Sequence, residues 1–141
     1  MSWLEHHKVS EARAAAAEDA LRRGDRTSAV ELYGEAAEAE KAALGDVDPS
    51  KTRTLGVSAV SAVSLYYKAR RYEDAEALAI NWMASTSLPK FAREQLRNLL
   101  QSIWSEQVRE RAGVRFAPGQ VMISVKGGEV VEGGAPLHQI V

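Results

Sequence analysis

The chain has 141 residues, of which 45% are hydrophobic and 26% charged, and its formal net charge is -1. This length and composition predict a folded domain and exclude a disordered chain. The near-neutral charge excludes a global field that would attract nucleic acid or an anionic membrane. Cysteine is absent, which excludes disulfides, thiol nucleophiles and cysteine-ligated metal sites.

No segment of the sequence has the pattern of an export signal or a membrane span. The N-terminal MSWLEHHKVSEAR lacks the apolar core of a signal peptide. No later segment approaches the roughly 18 consecutive apolar residues that a spanning helix needs. The absence of cysteine also suits a reducing compartment, so we expect a cytoplasmic protein.

The first helix is predicted from about Trp3 to Arg23. Ser2 and Glu5 have the spacing of a capping box, in which each side chain accepts a hydrogen bond from a backbone N–H at the helix start. The stretch that follows is rich in Ala, Glu and Arg, and Gly24 offers the left-handed residue at which helices commonly end.

A second helix is predicted to begin after Asp25 or Thr27, both of which are good N-cap residues, and to stop at Gly45. Its apolar residues recur near helical spacing. Because a very short turn joins this helix to the first one, the two helices are expected to form an antiparallel hairpin.

Asp48 and Pro49 predict the start of a third helix, with the aspartate as N-cap and the proline as the first helical residue. The SAVSAVS tract from Ser58 to Ser64 is small or apolar on nearly every face, which predicts burial on all sides. Its valines also suit a strand. The run is too long for one and lacks strict alternation, so we expect a helix.

A fourth helix is predicted from about Tyr72, and Pro89 opens a fifth helix that ends at Gly113. The fifth helix carries one broad apolar stripe, which consists of Ala92, Leu96, Leu99, Leu100, Ile103 and Trp104. The predicted fold class is therefore mainly α, with about five helices in a first domain of residues 1–112.

Residues 113–141 follow a different pattern, with alternating apolar positions and paired glycines. They predict a β-hairpin extension in which Gly127 and Gly128 form the turn between QVMISV and EVVEG, and a further extended run at Pro136–Val141. Because a two-stranded hairpin is marginal in water, this extension must pack on the helices, pair with another chain or belong to a larger sheet.

The two helix hairpins align at an offset of 46 residues, which places the turn Gly24–Arg26 over the turn Arg70–Tyr72. The segments GDRTSAVELYGEAA and RRYEDAEALAINW resemble the tetratricopeptide repeat family, whose helix pairs carry a glycine-polar-aromatic turn followed by a small residue and then an aromatic one. The resemblance covers about residues 10–90 and implies a helical repeat that binds another protein.

The repeat length departs from the family pattern. The offset exceeds the roughly 34 residues of a tetratricopeptide repeat, so HEAT-type repeats of roughly 40 to 47 residues are an alternative. A short loop after Gly45 and longer helices explain the excess equally well. Two repeats are also fewer than the roughly three that a stable stack needs, so we expect the fifth helix to cap them or to mediate dimerisation.

In tetratricopeptide-like folds the first helix of each pair lines a concave groove, and the resemblance implies a protein-binding surface there. The residues concerned are Glu11, Glu18, Arg22, Ser61, Ser64, Tyr67 and Lys68, to which we add Trp104 of the fifth helix. The family's clamp for a C-terminal carboxylate uses Lys, Asn and Arg at such positions, and this chain does not reproduce it. The alternative is that these residues form ordinary solvated helix surface.

No catalytic, cofactor or metal site is predicted. Adjacent helix positions point about 100° apart, so His6 and His7 cannot readily hold one ion. His138 has no cysteine companion and no recognisable acid-serine constellation. The KGGEVVEGG stretch lacks the pattern of a phosphate-binding loop and a helix to follow it, and it is typical of a turn.

These patterns predict a noncatalytic protein-protein interaction or assembly domain, with another protein or a second copy of the chain as its partner. A homodimer would form through the fifth helix or the β segment. The alternative is a nucleic-acid-associated factor that uses a local basic surface, made of Lys68, Arg70, Arg71, Lys90, Arg93 and Arg97. Acidic residues are interleaved with these cations, which is also typical of a salt-bridged solvent face.

Overall fold

The computed structural model describes residues 2–113, together with the backbone of residues 121–124 and 130–133. Five helices follow one another: α1 (Trp3–Arg22), α2 (Arg26–Gly45), α3 (Thr52–Lys68), α4 (Tyr72–Met83) and α5 (Lys90–Ala112). The described part of the chain is therefore mainly helical, as the sequence predicts.

The start of α1 and the end of α5 lie at the residues that the sequence indicates. The N–H of Glu5 donates to Ser2 Oγ at 3.2 Å, and the N–H of Ser2 donates to Glu5 Oε1 at 3.0 Å, which completes the capping box. At the other end, Gly113 follows α5 with a φ of 70°, in the left-handed region that favours glycine. Both predicted boundaries are confirmed.

The predicted start of α3 at Asp48 and Pro49 is wrong. The carboxylate of Asp48 accepts hydrogen bonds from the N–H and the hydroxyl of Ser50, both at 2.9 Å, and so closes a local turn instead of capping a helix. The helix begins only after Lys51, whose side chain makes no capping hydrogen bond. A short-range side-chain bond therefore displaces the helix start by three residues.

The connections within the two helix pairs have the same backbone geometry. In the first connection Gly24 has a φ of 79°, and the next N–H donates to the carbonyl of Ala20 at 2.8 Å. In the second connection Arg70 has a φ of 59°, and the next N–H donates to the carbonyl of Tyr66 at 3.0 Å. Because Arg70 lies 46 positions after Gly24, the offset in sequence corresponds to a repeated turn.

Each helix packs on the next one in the chain, and α3 also contacts α5. The larger apolar cluster joins α3, α4 and α5 to the last part of α2, through Ala37 and Leu44, and contains big buried side chains such as Tyr66, Leu96 and Ile103. The smaller cluster, around the turn between α1 and α2, contains Tyr33 and four alanines. Alanine allows helices to approach closely but fills little volume, so the two helix pairs differ in the bulk of their cores.

The tract of small residues in α3 is not buried on all sides. Ser58, Ala59, Ala62 and Val63 are buried, but Val60, Ser61 and Ser64 of the tract are only half-buried, and Val57 just before it is 44% exposed. The helix therefore packs through one broad face, and the expectation of all-round burial is wrong.

Two short strands are described beyond the helices, β1 (Val121–Ser124) and β2 (Val130–Gly133). They pair antiparallel, with Val121 opposite Gly133 and Ser124 opposite Val130. The turn predicted at residues 127 and 128 and the extended run predicted at residues 136–141 lie outside the described residues. The β-hairpin extension and the domain boundary at residue 113 stay predictions.

Candidate functional site

The structure places three of the residues that the repeat resemblance implies relative to two tyrosine rings. Glu18 and Lys68 both lie near Tyr33. The Lys68 ammonium is 5.7 Å from the ring centroid, while burial raises the pKa of Tyr33 and the charge of Glu18 raises it further. Tyr67 faces elsewhere, because its ring lies against that of Tyr72 with the centroids 5.7 Å apart. The structure therefore brings Glu18 and Lys68 near one ring and separates Tyr67 from them.

The remaining implied residues are scattered. Arg22 is exposed and pairs with Asp19 of its own helix at 2.7 Å. Glu11 lies on the exposed side of α1, and Ser61 and Ser64 are half-buried in α3. The concave binding surface that they were expected to form stays a prediction.

A groove of about 290 Å³ opens where α1 ends, α2 begins and α3 ends. We call it the Tyr33 groove, and its lining residues are Leu21, Arg26, Ala29, Val30, Tyr33, Lys68 and Arg70. Its floor is apolar because Ala29 and Tyr33 are buried, and Leu21 at its edge is 47% exposed. Pockets for whole drug-sized ligands occupy about 300–1,000 Å³, so a groove of this size suits one or two side chains.

Three cations surround the Tyr33 groove. Arg26, Lys68 and Arg70 are all exposed, and none of them forms an ion pair with a carboxylate of the described residues. The ammonium group of Lys68 lies over the face of the Tyr33 ring. The neighbouring Arg71 is different, because it is held by Glu38 at 2.7 Å and by Asp74 at 2.8 Å. The rim of the groove thus carries three cations without ion pairs, and one of them, Arg70, also borders the depression that Glu73, Asp74 and Glu110 line.

The corresponding place in the second helix pair is occupied by aromatic side chains. Tyr72 lies 46 positions after Arg26 and is buried, whereas the arginine is exposed. Tyr67, the counterpart of Leu21, is half-buried and packs against Tyr72. Two tyrosines therefore occupy positions that in the first pair hold a solvated arginine and an exposed leucine.

Helix α5 also covers the region of the second helix pair that corresponds to the Tyr33 groove. Glu76, the counterpart of Val30, accepts a hydrogen bond from the Trp104 indole at 2.6 Å and another from the Gln107 amide at 3.3 Å. The depression that remains nearby, of about 490 Å³, is lined largely by charged residues of both signs. The second helix pair therefore lacks the exposed apolar floor of the Tyr33 groove.

Burial raises the pKa of two tyrosines in the second helix pair. Burial raises the pKa of Tyr72 to about 12, and the charge of Glu106 contributes in the same direction. Burial likewise raises the pKa of Tyr67, again with a contribution from Glu106. These hydroxyls stay protonated at neutral pH, so they are unsuited to act as general bases.

The predicted basic surface from Lys68 to Arg97 is divided by the length of α3. Arg53, near the start of α3, lies over the ring of Phe91 at 5.5 Å, so Lys90 sits beside this end of the helix. Lys68 is the last residue of α3, roughly 20 Å away at a rise of about 1.5 Å per residue. The six cations do not make one patch, and the nucleic-acid alternative stays a prediction.

The two adjacent histidines link α1 to α2. His6 Nδ1 lies 2.8 Å from Asp46 Oδ2, and His7 Nδ1 lies 2.9 Å from Oε1 of Glu40, a side chain with only 1% exposure. Within the helices and strands that the structure describes, no group of three His, Cys, Asp or Glu residues is suited to hold a metal ion. His138 lies outside the described residues.

Comparisons with known proteins place the chain in no family. No protein-family model, curated protein or solved structure matches it. The likeness to tetratricopeptide repeats therefore rests on the residues of this chain alone. Over the described residues, no helix combines the length and the apolar character that crossing a bilayer requires.

Most of the Tyr33 groove was not anticipated from the sequence. Lys68 was among the predicted binding residues, but Leu21, Arg26, Val30 and Arg70 were not predicted as a protein-binding group. A signal for them exists in the alignment of the two helix pairs, where Arg26 replaces the aromatic Tyr72. A charged residue at a position that is aromatic in the other repeat indicates a place that the core does not fill.

Proposed function

We propose that this chain is a noncatalytic protein-binding module, in which tetratricopeptide-like helix pairs present the Tyr33 groove to a segment of another protein. The observation that carries the proposal is the difference between the two helix pairs. The two positions along the repeated turn that aromatic side chains fill in one pair hold an exposed leucine and an exposed arginine beside an open groove in the other. Exposed apolar surface rimmed by polar groups is typical of interaction sites.

The groove is formed before any partner binds, which favours a binding role. Its floor belongs to the buried cluster that contains Ala29 and Tyr33. Its far edge belongs to the turn after α3, which Arg71 ties to α2 through Glu38 and to α4 through Asp74. A preorganised surface loses little conformational entropy on binding, so even a small groove can contribute useful affinity.

The repeated turn supports the tetratricopeptide-like part of the proposal, with residues 1–112 as the helical domain and residues 113–141 as a β-hairpin extension. The same arrangement suits a cytoplasmic adaptor or assembly protein. A homodimer through α5 is a second candidate, because Trp104 and Val108 of α5 are 44% and 55% exposed, one helical turn apart. Light scattering over a range of concentrations tests the dimer.

Selection from a random peptide display library tests the protein-binding function. Peptides enriched on the unmodified chain should lose binding to Leu21→Ser and keep binding to Leu4→Ser. The two leucines make a matched pair, since both belong to α1 and are 47% and 50% exposed. Equal binding of the enriched peptides to both variants would show that the Tyr33 groove is not the site. No enrichment at all would contradict peptide binding.

A further inference from the structure

The chemistry around the Tyr33 groove indicates the charge of its partner. Arg26, Lys68 and Arg70 lack ion pairs with the described residues, although the whole chain has a net charge of -1. At the end of α1, next to Leu21, two further arginines share the single carboxylate of Asp19 at 2.7 and 3.0 Å. The charge of Glu18 raises the pKa of Tyr33, so one acid also lies near the groove. Positive charge is therefore concentrated at the groove against the balance of the chain.

The apolar floor indicates what the partner places between these charges. Leu21 is 47% exposed at the edge, Val30 is half-buried, and the volume of about 290 Å³ suits a side chain. An inorganic anion would leave this apolar surface in water. A ligand that matches the whole groove must therefore combine negative charge with an apolar group.

We propose that the Tyr33 groove binds an acidic peptide segment of a partner protein. One aliphatic side chain of the segment lies on the floor beside Leu21 and Tyr33, and flanking carboxylates face Arg26, Lys68 and Arg70. Arginine suits this role because its guanidinium can donate two parallel hydrogen bonds to one carboxylate. The proposal deepens the protein-binding function and rests on it.

A peptide fits this groove better than a nucleic acid does. Binding of single-stranded nucleic acid uses aromatic rings on which bases stack. Tyr33 cannot supply such a surface, because it is only 6% exposed and the Lys68 ammonium already lies over its ring. An aliphatic side chain needs no free ring face and can lie on Leu21 and Val30.

The decisive probe is a set of short fluorescent peptides measured by anisotropy on the intact chain. The first peptide has a central leucine among glutamates, the second replaces that leucine with serine, and the third replaces the glutamates with lysines. We expect only the first to bind well, with a loss of roughly tenfold on removing its leucine. Raising the ionic strength should weaken this binding, because salt screens exposed charges.

Two triple variants with the same change of net charge test the site. The first carries Arg26→Gln, Lys68→Gln and Arg70→Gln around the groove. The control carries Lys8→Gln, Lys41→Gln and Arg97→Gln, which remove three exposed cations from the start of α1, the last part of α2 and α5. If each groove cation contributes roughly two- to fivefold, the first variant should bind at least roughly tenfold more weakly. The control should bind like the unmodified chain, and circular dichroism checks that both variants fold.

Each contrary result has a definite meaning. Equal binding of the acidic peptide to both triple variants would overturn the assignment of the cations. If binding does not depend on the leucine of the peptide, the groove is a general polyanion site instead. The same conclusion follows if a single-stranded oligonucleotide binds more tightly through the same cations. If the display library yields neutral or basic peptides that depend on Leu21, the acidic partner is wrong while the protein-binding function stands. If no peptide binds, both proposals fail.

Discussion

The two helix pairs share a backbone turn but use it differently. After α1 the turn leads to alanines, a buried Tyr33 and an open groove, whereas after α3 it leads to packed tyrosines that α5 helps to cover. The repeated backbone turn therefore determines where the two helices of a pair contact each other. Whether this contact region becomes core or an open surface depends on the side chains at equivalent positions and on whether a following helix covers it.

The comparison also separates a cluster of large buried side chains from a cluster of small ones. Large buried side chains such as Leu96 and Ile103 belong to the α3–α5 cluster, while the cluster at the first turn depends on alanines. Substitutions that add or remove volume should therefore cost more in the cluster of large side chains. Three predictions test the comparison between the two helix pairs, and they follow from the largest expected effect to the smallest.

Two helix-interior glycines provide the sharpest test. A Cβ at Gly56 in α3 would lie 2.9 Å from the Cβ of Ala92 and 3.1 Å from Pro89 Cδ, and neither atom can move by changing rotamer. We expect Gly56→Ala to lower the free energy of unfolding by roughly 1–2 kcal/mol, because the clash outweighs the intrinsic preference of helices for alanine. Urea unfolding at neutral pH measures the change.

Gly34 in α2 is the control for this prediction. Its added Cβ would meet the Arg71 side chain at 3.7 Å and the Cβ of Ala69 at 3.9 Å, which are ordinary contacts. We expect Gly34→Ala to be neutral or to stabilise the protein by up to about 1 kcal/mol. A larger loss for Gly34→Ala than for Gly56→Ala would contradict the view that α3 and α5 make the tighter contact.

Helix positions were predictable because local signals agree with the tertiary structure. The capping box at Ser2 and Glu5 and the terminal Gly113 act within a few residues, so the sequence displays them directly. Asp48 shows the limit of this approach, since an aspartate before a proline suits both a helix start and a turn. The hydrogen bond to Ser50 selects the turn, and the sequence alone does not distinguish the two.

The groove was harder to predict than the helices because it depends on contacts between distant residues. Lys68 and Tyr33 lie 35 positions apart in the chain, and only the packing of α3 on α2 brings them together. Whether an exposed arginine lacks a partner is likewise decided by three-dimensional neighbours. The alignment of Arg26 with Tyr72 held part of this information, but it does not show that α3 leaves the first site open.

Because both turns contain a residue with a positive φ, introducing glycine in one turn and removing it from the other should change stability in opposite directions. Arg70 has a φ of 59°, which strains a residue with a Cβ, so Arg70→Gly should stabilise the protein by up to about 1 kcal/mol. Gly24 has a φ of 79°, so Gly24→Ala should destabilise it by about 1–2 kcal/mol. Thermal unfolding of both variants measures the difference, and a loss of stability in Arg70→Gly would mean that the arginine side chain contributes more than the strain costs.

The smallest expected effect concerns the buried tyrosines, whose contribution to the free energy of unfolding changes only at alkaline pH. Burial raises the pKa of Tyr72 from 10.0 to about 12, so the unfolded chain releases this proton at a lower pH than the folded chain. The associated stability is complete below the unfolded pKa and is lost as the pH rises toward the folded value.

Tyr72→Phe removes this titration and should flatten the fall in unfolding free energy, measured in urea from about pH 8 to about pH 11. Tyr33→Phe in the first helix pair is the matched control. The pKa of Tyr33 is also raised by burial, but less strongly than that of Tyr72, so we expect this variant to flatten the alkaline profile less. If Tyr33→Phe flattened the profile as much as Tyr72→Phe, burial would disfavour the Tyr33 phenolate as strongly as that of Tyr72, and the predicted difference between the two helix pairs would be lost.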